Sequence, residues 1–164
     1  MIYQLYSLNH NMFVTPTHTL FYSIEKAIKT YRKFAQKRLN EVAADITLDQ
    51  ALLLLLIDEN SMRSQVQMAD ALFKDEASLT RMIVLLVHNG YLQKTGHPND
   101  GRRTRLSLTA KSKRTLEMLR PIIAANRRMA LNNIPTKELD ILENTLVALI
   151  DNCETSKKPD LKNV

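Results

Sequence analysis

The side chains best suited to chemistry in this sequence are basic, and they cluster within one third of the chain. The stretch from Ser61 to Arg114 holds ten Lys and Arg but four Asp and Glu, whereas the rest of the chain holds 13 of each sign. The net charge of +6 therefore resides in this stretch. A basic surface of this kind binds anions, and the phosphates of nucleic acid are the first candidates.

The sequence lacks the residue patterns that support catalysis or a bound cofactor. It has no glycine-rich phosphate loop, no dinucleotide-binding fingerprint and no His-Glu-x-x-His motif. The four histidines are dispersed and Cys153 is the single cysteine, so neither a metal site nor a disulfide framework is expected. We therefore expect a binding protein that is not an enzyme and that needs no cofactor.

The basic stretch begins with the pattern of two short helices joined by a tight turn. Apolar residues recur at helical spacing from Ser64 to Leu72, which predicts the first helix. Asp75 is a good N-cap for the second helix, and Gly90 can adopt a positive φ at its end. In such a helix-turn-helix the second helix reads the major groove of DNA. DNA contacts are predicted from three side chains on its exposed face: Ser78, Thr80 and Arg81.

A basic β-hairpin is predicted directly after the second helix. Tyr91–Thr95 can form one strand, and Arg103–Leu108 alternates polar and apolar side chains as the other. The segment between them, Gly96–Arg102, is rich in turn-forming residues. Asp100 and Arg102 are close enough in sequence to pair, which would orient the arginine for a narrow minor groove. A helix-turn-helix followed by such a hairpin predicts a winged helix-turn-helix.

With its elements in this order, the sequence resembles the MarR family of winged-helix transcriptional regulators. The resemblance covers roughly residues 20–152 and rests on these motifs: Leu48-Asp49-Gln50, Met68-Ala69-Asp70, Ser78-Leu79-Thr80-Arg81, Asn89-Gly90-Tyr91-Leu92, Asp100-Gly101-Arg102-Arg103 and Leu108-Thr109. Some positions depart from the family pattern. Phe73 stands where glycine is frequent, Ala77 where Ser or Thr is frequent, and Ser112 where a glycine often follows the wing.

The resemblance implies a transcriptional regulator, typically a repressor, that binds double-stranded DNA as a homodimer on a near-palindromic operator. A small-molecule effector that fits only one spacing of the two recognition helices would release it. In this interpretation Arg102 enters the minor groove, oriented by Asp100, while Lys94 and Arg103 contact the DNA backbone. A winged-helix protein–protein adaptor with nonspecific nucleic-acid affinity is the alternative, because a basic face also suits an acidic protein partner.

The segments that flank the basic stretch predict long helices. Residues 16–42 have the periodicity of one amphipathic helix of about seven turns, and Thr47 begins a capping-box pattern at the next helix. Thr109 is expected to cap a helix over residues 110–133, and Thr136 to cap a last helix. The apolar faces of these outer helices exceed what one winged domain can cover, so a two-fold dimer is expected.

These patterns together predict a mainly α fold with a two-stranded wing. The expected organisation is an N-terminal arm (1–16), a helical dimerisation region (17–44 and 115–152), a winged helix-turn-helix DNA-binding domain (45–114) and a polar tail (153–164). No apolar run approaches the roughly 18 residues of a membrane span. The first basic residue is Lys26, so the charged start of a secretory signal is missing. We therefore expect a cytoplasmic protein without a membrane partner.

Overall fold

The computed structural model describes residues 16–97 and 100–155; at residues 16, 96–97 and 100–104 it describes the backbone alone. After a short 3-10 helix, Pro16–His18, six helices and two strands follow in order: α1 (Leu20–Asn40), α2 (Leu48–Glu59), α3 (Gln65–Ala71), α4 (Glu76–His88), β1 (Leu92–His97), β2 (Asp100–Leu108), α5 (Ala110–Ala130) and α6 (Thr136–Thr155). The mainly α fold with a two-stranded wing is confirmed. Within the described residues, no helix is both long enough and apolar enough to cross a membrane.

The predicted helix starts at Thr47, Asp75 and Thr109 are confirmed by their capping hydrogen bonds. Thr47 Oγ1 accepts from the Gln50 amide at 3.2 Å, and Gln50 Oε1 accepts from the Thr47 amide at 2.8 Å, which completes the capping box. Thr109 Oγ1 accepts from the Ser112 amide at 3.2 Å. Each cap satisfies an amide that has no partner within its own helix.

Two other helix starts differ from the prediction. Helix α1 begins at Leu20 rather than at residue 16, because Thr19 Oγ1 accepts from the Tyr22 amide and caps the helix there. Thr136 is the first residue of α6 rather than its cap, since the Pro135 carbonyl already accepts from the Glu138 amide at 2.9 Å. The chain also stays helical to Thr155, into the segment interpreted as a tail.

The chain divides into two compact units, Met1–Asn126 and Arg127–Val164. The hydrophobic core belongs to the first unit. Its fully covered members include Leu39, Ile46, Leu53, Leu54, Leu79, Leu86, Tyr91, Leu92 and Leu119. Helix α6, which makes up most of the described part of the second unit, has no buried residue. Only the first unit therefore buries a core of its own within the described residues.

Helix α4 is fixed to this core along one side. Leu79, Ile83 and Leu86 are buried, at the i, i+4 and i+7 spacing of one helical face. The helix ends at Asn89 and Gly90, and Gly90 has a φ of +72°, as the predicted C-terminal stop requires. The opposite side of α4 is left to solvent.

The hairpin is longer than the sequence suggested. The pairs run from Leu92 opposite Leu108 to Gly96 opposite Thr104, and His97 then pairs with Asp100 after an irregularity. The predicted turn over residues 96–102 is therefore wrong at both ends, because backbone pairing continues through turn-forming residues on either side of the register shift. Pro98 and Asn99 at the tip lie outside the described residues.

Candidate nucleic-acid interface

The N-terminus of α4 is organised by a chain of hydrogen bonds from the cap to Arg81. Asp75 accepts from the Ser78 amide at 2.7 Å through Oδ1 and from the Ser78 hydroxyl at 2.7 Å through Oδ2. Arg81 Nη2 donates to the same hydroxyl oxygen at 3.1 Å. The bond from the Ser78 hydroxyl, followed by that from its amide, holds the pKa of the Asp75 carboxyl below its usual value. The Arg81 guanidinium is thus held beside an ionised cap.

The solvent side of α4 presents groups that can read a duplex. Ala77, Thr80, Arg81 and Val84 are exposed, and Ser78 is half-buried. Two of the predicted DNA-contacting residues, Thr80 and Arg81, therefore lie on one open face with a small and an apolar neighbour. The Ser78 hydroxyl is engaged by both Asp75 and Arg81, so within this face its evident effect is to orient Arg81.

The hairpin carries the other predicted DNA contacts. Lys94 is exposed on β1, where it pairs with Leu106 of β2. Asp100, Arg102 and Arg103 belong to β2 by their backbone, but their side chains, and with them the expected Asp100–Arg102 pair, lie outside the described residues. The structure therefore places a hairpin with a basic sequence directly after α4.

The base of the hairpin is tied to the start of α5 by a cluster that sequence reasoning missed. The Tyr91 hydroxyl donates to both oxygens of Asp45, at 2.9 and 3.0 Å. Lys111 Nζ donates to Asp45 at 3.2 Å and lies 4.0 Å from the centroid of the Tyr91 ring. The Tyr91 hydrogen bond is the main cause that lowers the pKa of the Asp45 carboxyl. This cluster holds the hairpin in place through three separate chain segments.

A second missed feature is a cavity of about 380 Å³ beside the hairpin. It is lined by the end of α2, the α2–α3 loop, α3 and β2. Arg105 lines it, and its guanidinium donates to Ser61 while its Nε is shielded from solvent and has no hydrogen-bond partner. Arg63 also lines it and pairs with Glu59 at 2.7 Å. No sequence signal marked this cavity, because Arg105 occupies one of the polar positions of the alternating strand, with Arg103 and Ser107.

A helix-turn-helix followed at once by an antiparallel hairpin defines a winged helix-turn-helix protein. No family model matches the sequence, but solved structures match its fold over nearly their whole length. AbsC, a MarR-family transcriptional regulator from Streptomyces coelicolor, shares 15% identity at a TM-score of 0.73 and covers 88% of this chain and 99% of its own. BpsR from Bordetella bronchiseptica, described for regulation of its DNA binding by 6-hydroxynicotinic acid, shares 17% identity at a TM-score of 0.73. The match covers 84% of this chain and 97% of BpsR.

A mutant of MarR from E. coli complexed with operator DNA shares 26% identity with this chain. The TM-score is 0.64, and the match covers 80% of this chain and 98% of that one. The chain thus has the winged-helix fold of the MarR-family transcriptional regulators, and the resemblance drawn from its motifs is confirmed for the fold.

Proposed function

We propose that this chain is a sequence-specific, double-stranded DNA-binding transcriptional regulator that acts as a homodimer on a near-palindromic operator. The observation that carries the proposal is the open face of α4, where Arg81 is held by a capped helix N-terminus and a basic hairpin follows. The similar E. coli MarR mutant was solved with operator DNA, which supports the same partner here.

The proposed DNA contacts divide between the two grooves and the backbone. Thr80 and Arg81 on α4, with Ser78 behind them, read base edges in the major groove. Arg102, with Asp100 beside it in sequence, enters the minor groove, and Lys94 and Arg103 neutralise phosphates. Phosphate contacts supply most of the affinity and fall with salt, whereas Arg81 supplies sequence preference.

The proposed dimer is supported by apolar side chains that the described chain leaves exposed. Leu20, Phe21 and Ile28 of α1 are at least half exposed, and so are Ile141 and Leu142 of α6. Several exposed apolar side chains on one helix are typical of an interaction site, and α1 and α6 each carry such a set. In the proposal, residues 17–44 and 115–152 form the dimerisation region, and two copies present α4 to half-sites about one DNA turn, ~34 Å, apart.

Two alanine variants test this function against a matched control. We expect Arg81→Ala to weaken binding to a duplex enriched from a random pool by about 1–3 kcal/mol and to relax its sequence preference. Arg102→Ala should weaken the same binding severely, because it removes the minor-groove contact. Arg128→Ala, an exposed arginine in the last turn of α5, is the control. Equal binding by all three proteins in a shift assay, with the dimer intact, would exclude the proposed interface.

We propose further that this regulator is a repressor that a small-molecule effector releases, and the cavity beside the hairpin would suit a small anionic effector. Within the described residues, the partner of the Arg105 guanidinium is the Ser61 hydroxyl, and no acidic side chain pairs with it. A carboxylate ligand that accepts two hydrogen bonds would stabilise such a partly buried guanidinium. Met62, Met68 and Leu106 offer apolar contacts around it. An occupant would touch both α3 and β2, so it would bias the spacing between the helix-turn-helix and the wing.

Binding of benzoate, followed by calorimetry, tests the effector site. Benzyl alcohol has a similar shape without the charge and serves as the matched probe. We expect benzoate alone to bind, and Arg105→Gln to abolish the binding while Arg128→Gln retains it. Equal binding of the two probes, or benzoate binding that survives Arg105→Gln, would remove the cavity from the proposal.

A further inference from the structure

Asp49, the second residue of α2, lies between two basic side chains from distant parts of the chain. Its Oδ1 accepts from Arg32 of α1, and its Oδ2 lies 2.9 Å from the Nζ of Lys74 in the turn between α3 and α4. One carboxylate therefore joins α1, α2 and the turn of the helix-turn-helix. The acidic side chain also lies in the first turn of α2, where the helix dipole favours negative charge.

The three side chains of this contact are partly buried, so the contact can hold the start of α4 in position. The Asp49 side chain is 23% exposed, and those of Arg32 and Lys74 are 39% and 32% exposed. Charges at this depth are screened by salt less than charges in open solvent. Burial acts to raise the pKa of the Asp49 carboxyl, but the hydrogen bonds from Lys74 and then Arg32 outweigh it and lower the pKa. Asp49 is therefore ionised at neutral pH and binds both cations.

Lys74 stands immediately before the cap of the recognition helix. Its amide donates to the Ala69 carbonyl at 2.9 Å, which closes the turn after Phe73. Asp75, the next residue, holds Ser78, and Ser78 holds Arg81. Polar contacts thus connect α1 through Asp49 to Lys74, and after the peptide bond to Asp75 further polar contacts lead to the side chain proposed to read the major groove.

We propose that Asp49 is a positioning residue for DNA reading, which fixes the start of α4 to α1 by binding Arg32 and Lys74 together. The effect on DNA reading rests on the proposed function, whereas the contact of Asp49 with Arg32 and Lys74 does not. It makes the placement of Arg81 depend on α1, a helix of the proposed dimerisation region. It also keeps Lys74, a basic residue beside the DNA-reading helix, from binding phosphate indiscriminately.

Asp49→Asn removes the charge and keeps the shape of the side chain, and Asp58→Asn is its matched control. Asp58 lies at the opposite end of α2 from Asp49 and forms an ion pair with Arg120 of α5. It therefore also joins two helices, but its ion pair does not include the α3–α4 turn. We expect Asp49→Asn to weaken operator binding about tenfold and to leave binding to an unrelated duplex unchanged or tighter. Asp58→Asn should change neither by as much as about twofold.

Amide hydrogen exchange in the absence of DNA separates this inference from the proposed function. Asp49→Asn should speed exchange at the amides of residues 74–78, and Asp58→Asn should not. Faster exchange with no loss of operator preference, or an equal loss of operator and unrelated-duplex binding, overturns the positioning role. A wild-type protein without any preferred sequence would instead refute the proposed function, while the exchange result would still report on the contact.

A second pair of variants serves if Asp49→Asn does not fold. Arg32→Gln removes the distant member of the contact and cannot touch α4, yet it should lower operator preference in the same direction. Arg32→Lys, which retains the charge, should restore part of it. Full operator preference in Arg32→Gln would contradict the inference.

Discussion

Helices α2 and α6 are both rich in leucine, yet they have opposite surroundings. Helix α2 spans 12 residues and buries Gln50, Ala51, Leu53, Leu54 and Ile57, whereas α6 spans 20 residues and buries none. The first lies in a unit with a complete core, and the second leaves apolar side chains in solvent. The contrast shows that the winged part is folded against a core of its own, whereas α6 leaves apolar side chains that a second copy would cover in the proposed dimer.

The largest expected effect concerns the buried core of the first unit. Leu79 of α4 is 0% exposed, and Leu79→Ala should lower the free energy of unfolding by about 2–5 kcal/mol because it leaves a cavity in a packed core. Val84→Ala, on the open side of the same helix, should change it by less than about 0.5 kcal/mol. Urea unfolding at one protein concentration measures both. Similar losses in the two variants would mean that α4 is not backed by the core.

The next largest effect concerns the exposed apolar side chains of α6. Leu142 of α6 is 52% exposed, and Leu142→Glu would place an unpaired charge inside the proposed dimer interface. We expect the dissociation constant of the dimer to rise at least about a hundredfold, measured by analytical ultracentrifugation, with helix content retained in circular dichroism. Asn144→Glu, which adds the same single negative charge at an exposed position of the same helix, is the control for added charge. A variant that remains as dimeric as the wild type would break the comparison.

A smaller effect sharpens the contrast through backbone strain. Phe73 has a φ of +54° in the helix-turn-helix turn and is 95% exposed, and Asn133 has a φ of +62° after α5. Phe73→Gly should raise the free energy of unfolding by about 1 kcal/mol, since it removes a left-handed backbone strain without losing packing. Asn133→Gly should gain less, because asparagine tolerates this region. Chemical denaturation of both variants gives the ranking; an equal gain would mean that strain is not concentrated in the turn.

The smallest effect is the dependence of the Asp45 cluster on pH. The pKa of Asp45 lies below its usual value of 3.8 in the folded protein, so the unfolded chain binds the proton more readily. The stabilisation is therefore present above about pH 3.8 and is lost as pH falls through the lower folded pKa. The stability gap between wild type and Asp45→Asn, under about 1 kcal/mol for such an exposed pair, should close in acid. Tyr91→Phe should reduce the pH dependence of stability, because it removes the main hydrogen bond that lowers the pKa of Asp45. A stability gap between wild type and Asp45→Asn that widens in acid would contradict this account.

Local rules account for the parts of the fold that the sequence predicted. Thr47, Asp75 and Thr109 cap helices because their side chains bond to amides three residues away, so spacing alone reveals them. Gly90 was recognisable for the same reason, since a helix end needs a positive φ there. Residue patterns also predicted the order of the winged elements, from which the resemblance was drawn, and the fold confirms that order.

Contacts between distant residues explain what the sequence could not reveal. Lys111 and Asp45 are 66 residues apart, and Arg32 and Asp49 are 17 apart. With 40 charged Lys, Arg, Asp and Glu side chains in the chain, spacing does not say which of them meet. The strand ends at His97 and Asp100 were missed for a different reason, because backbone pairing tolerates residues that usually signal a turn.

Selection of duplexes from a random pool by the purified protein, at moderate salt, tests the central claim most directly. The account predicts enrichment of a near-palindrome whose half-sites are about ten base pairs apart, and loss of that enrichment in Arg81→Ala. Binding without any enriched sequence, which vanishes as salt rises, would contradict it. The basic surface would then serve nonspecific contact, and the adaptor alternative would take precedence.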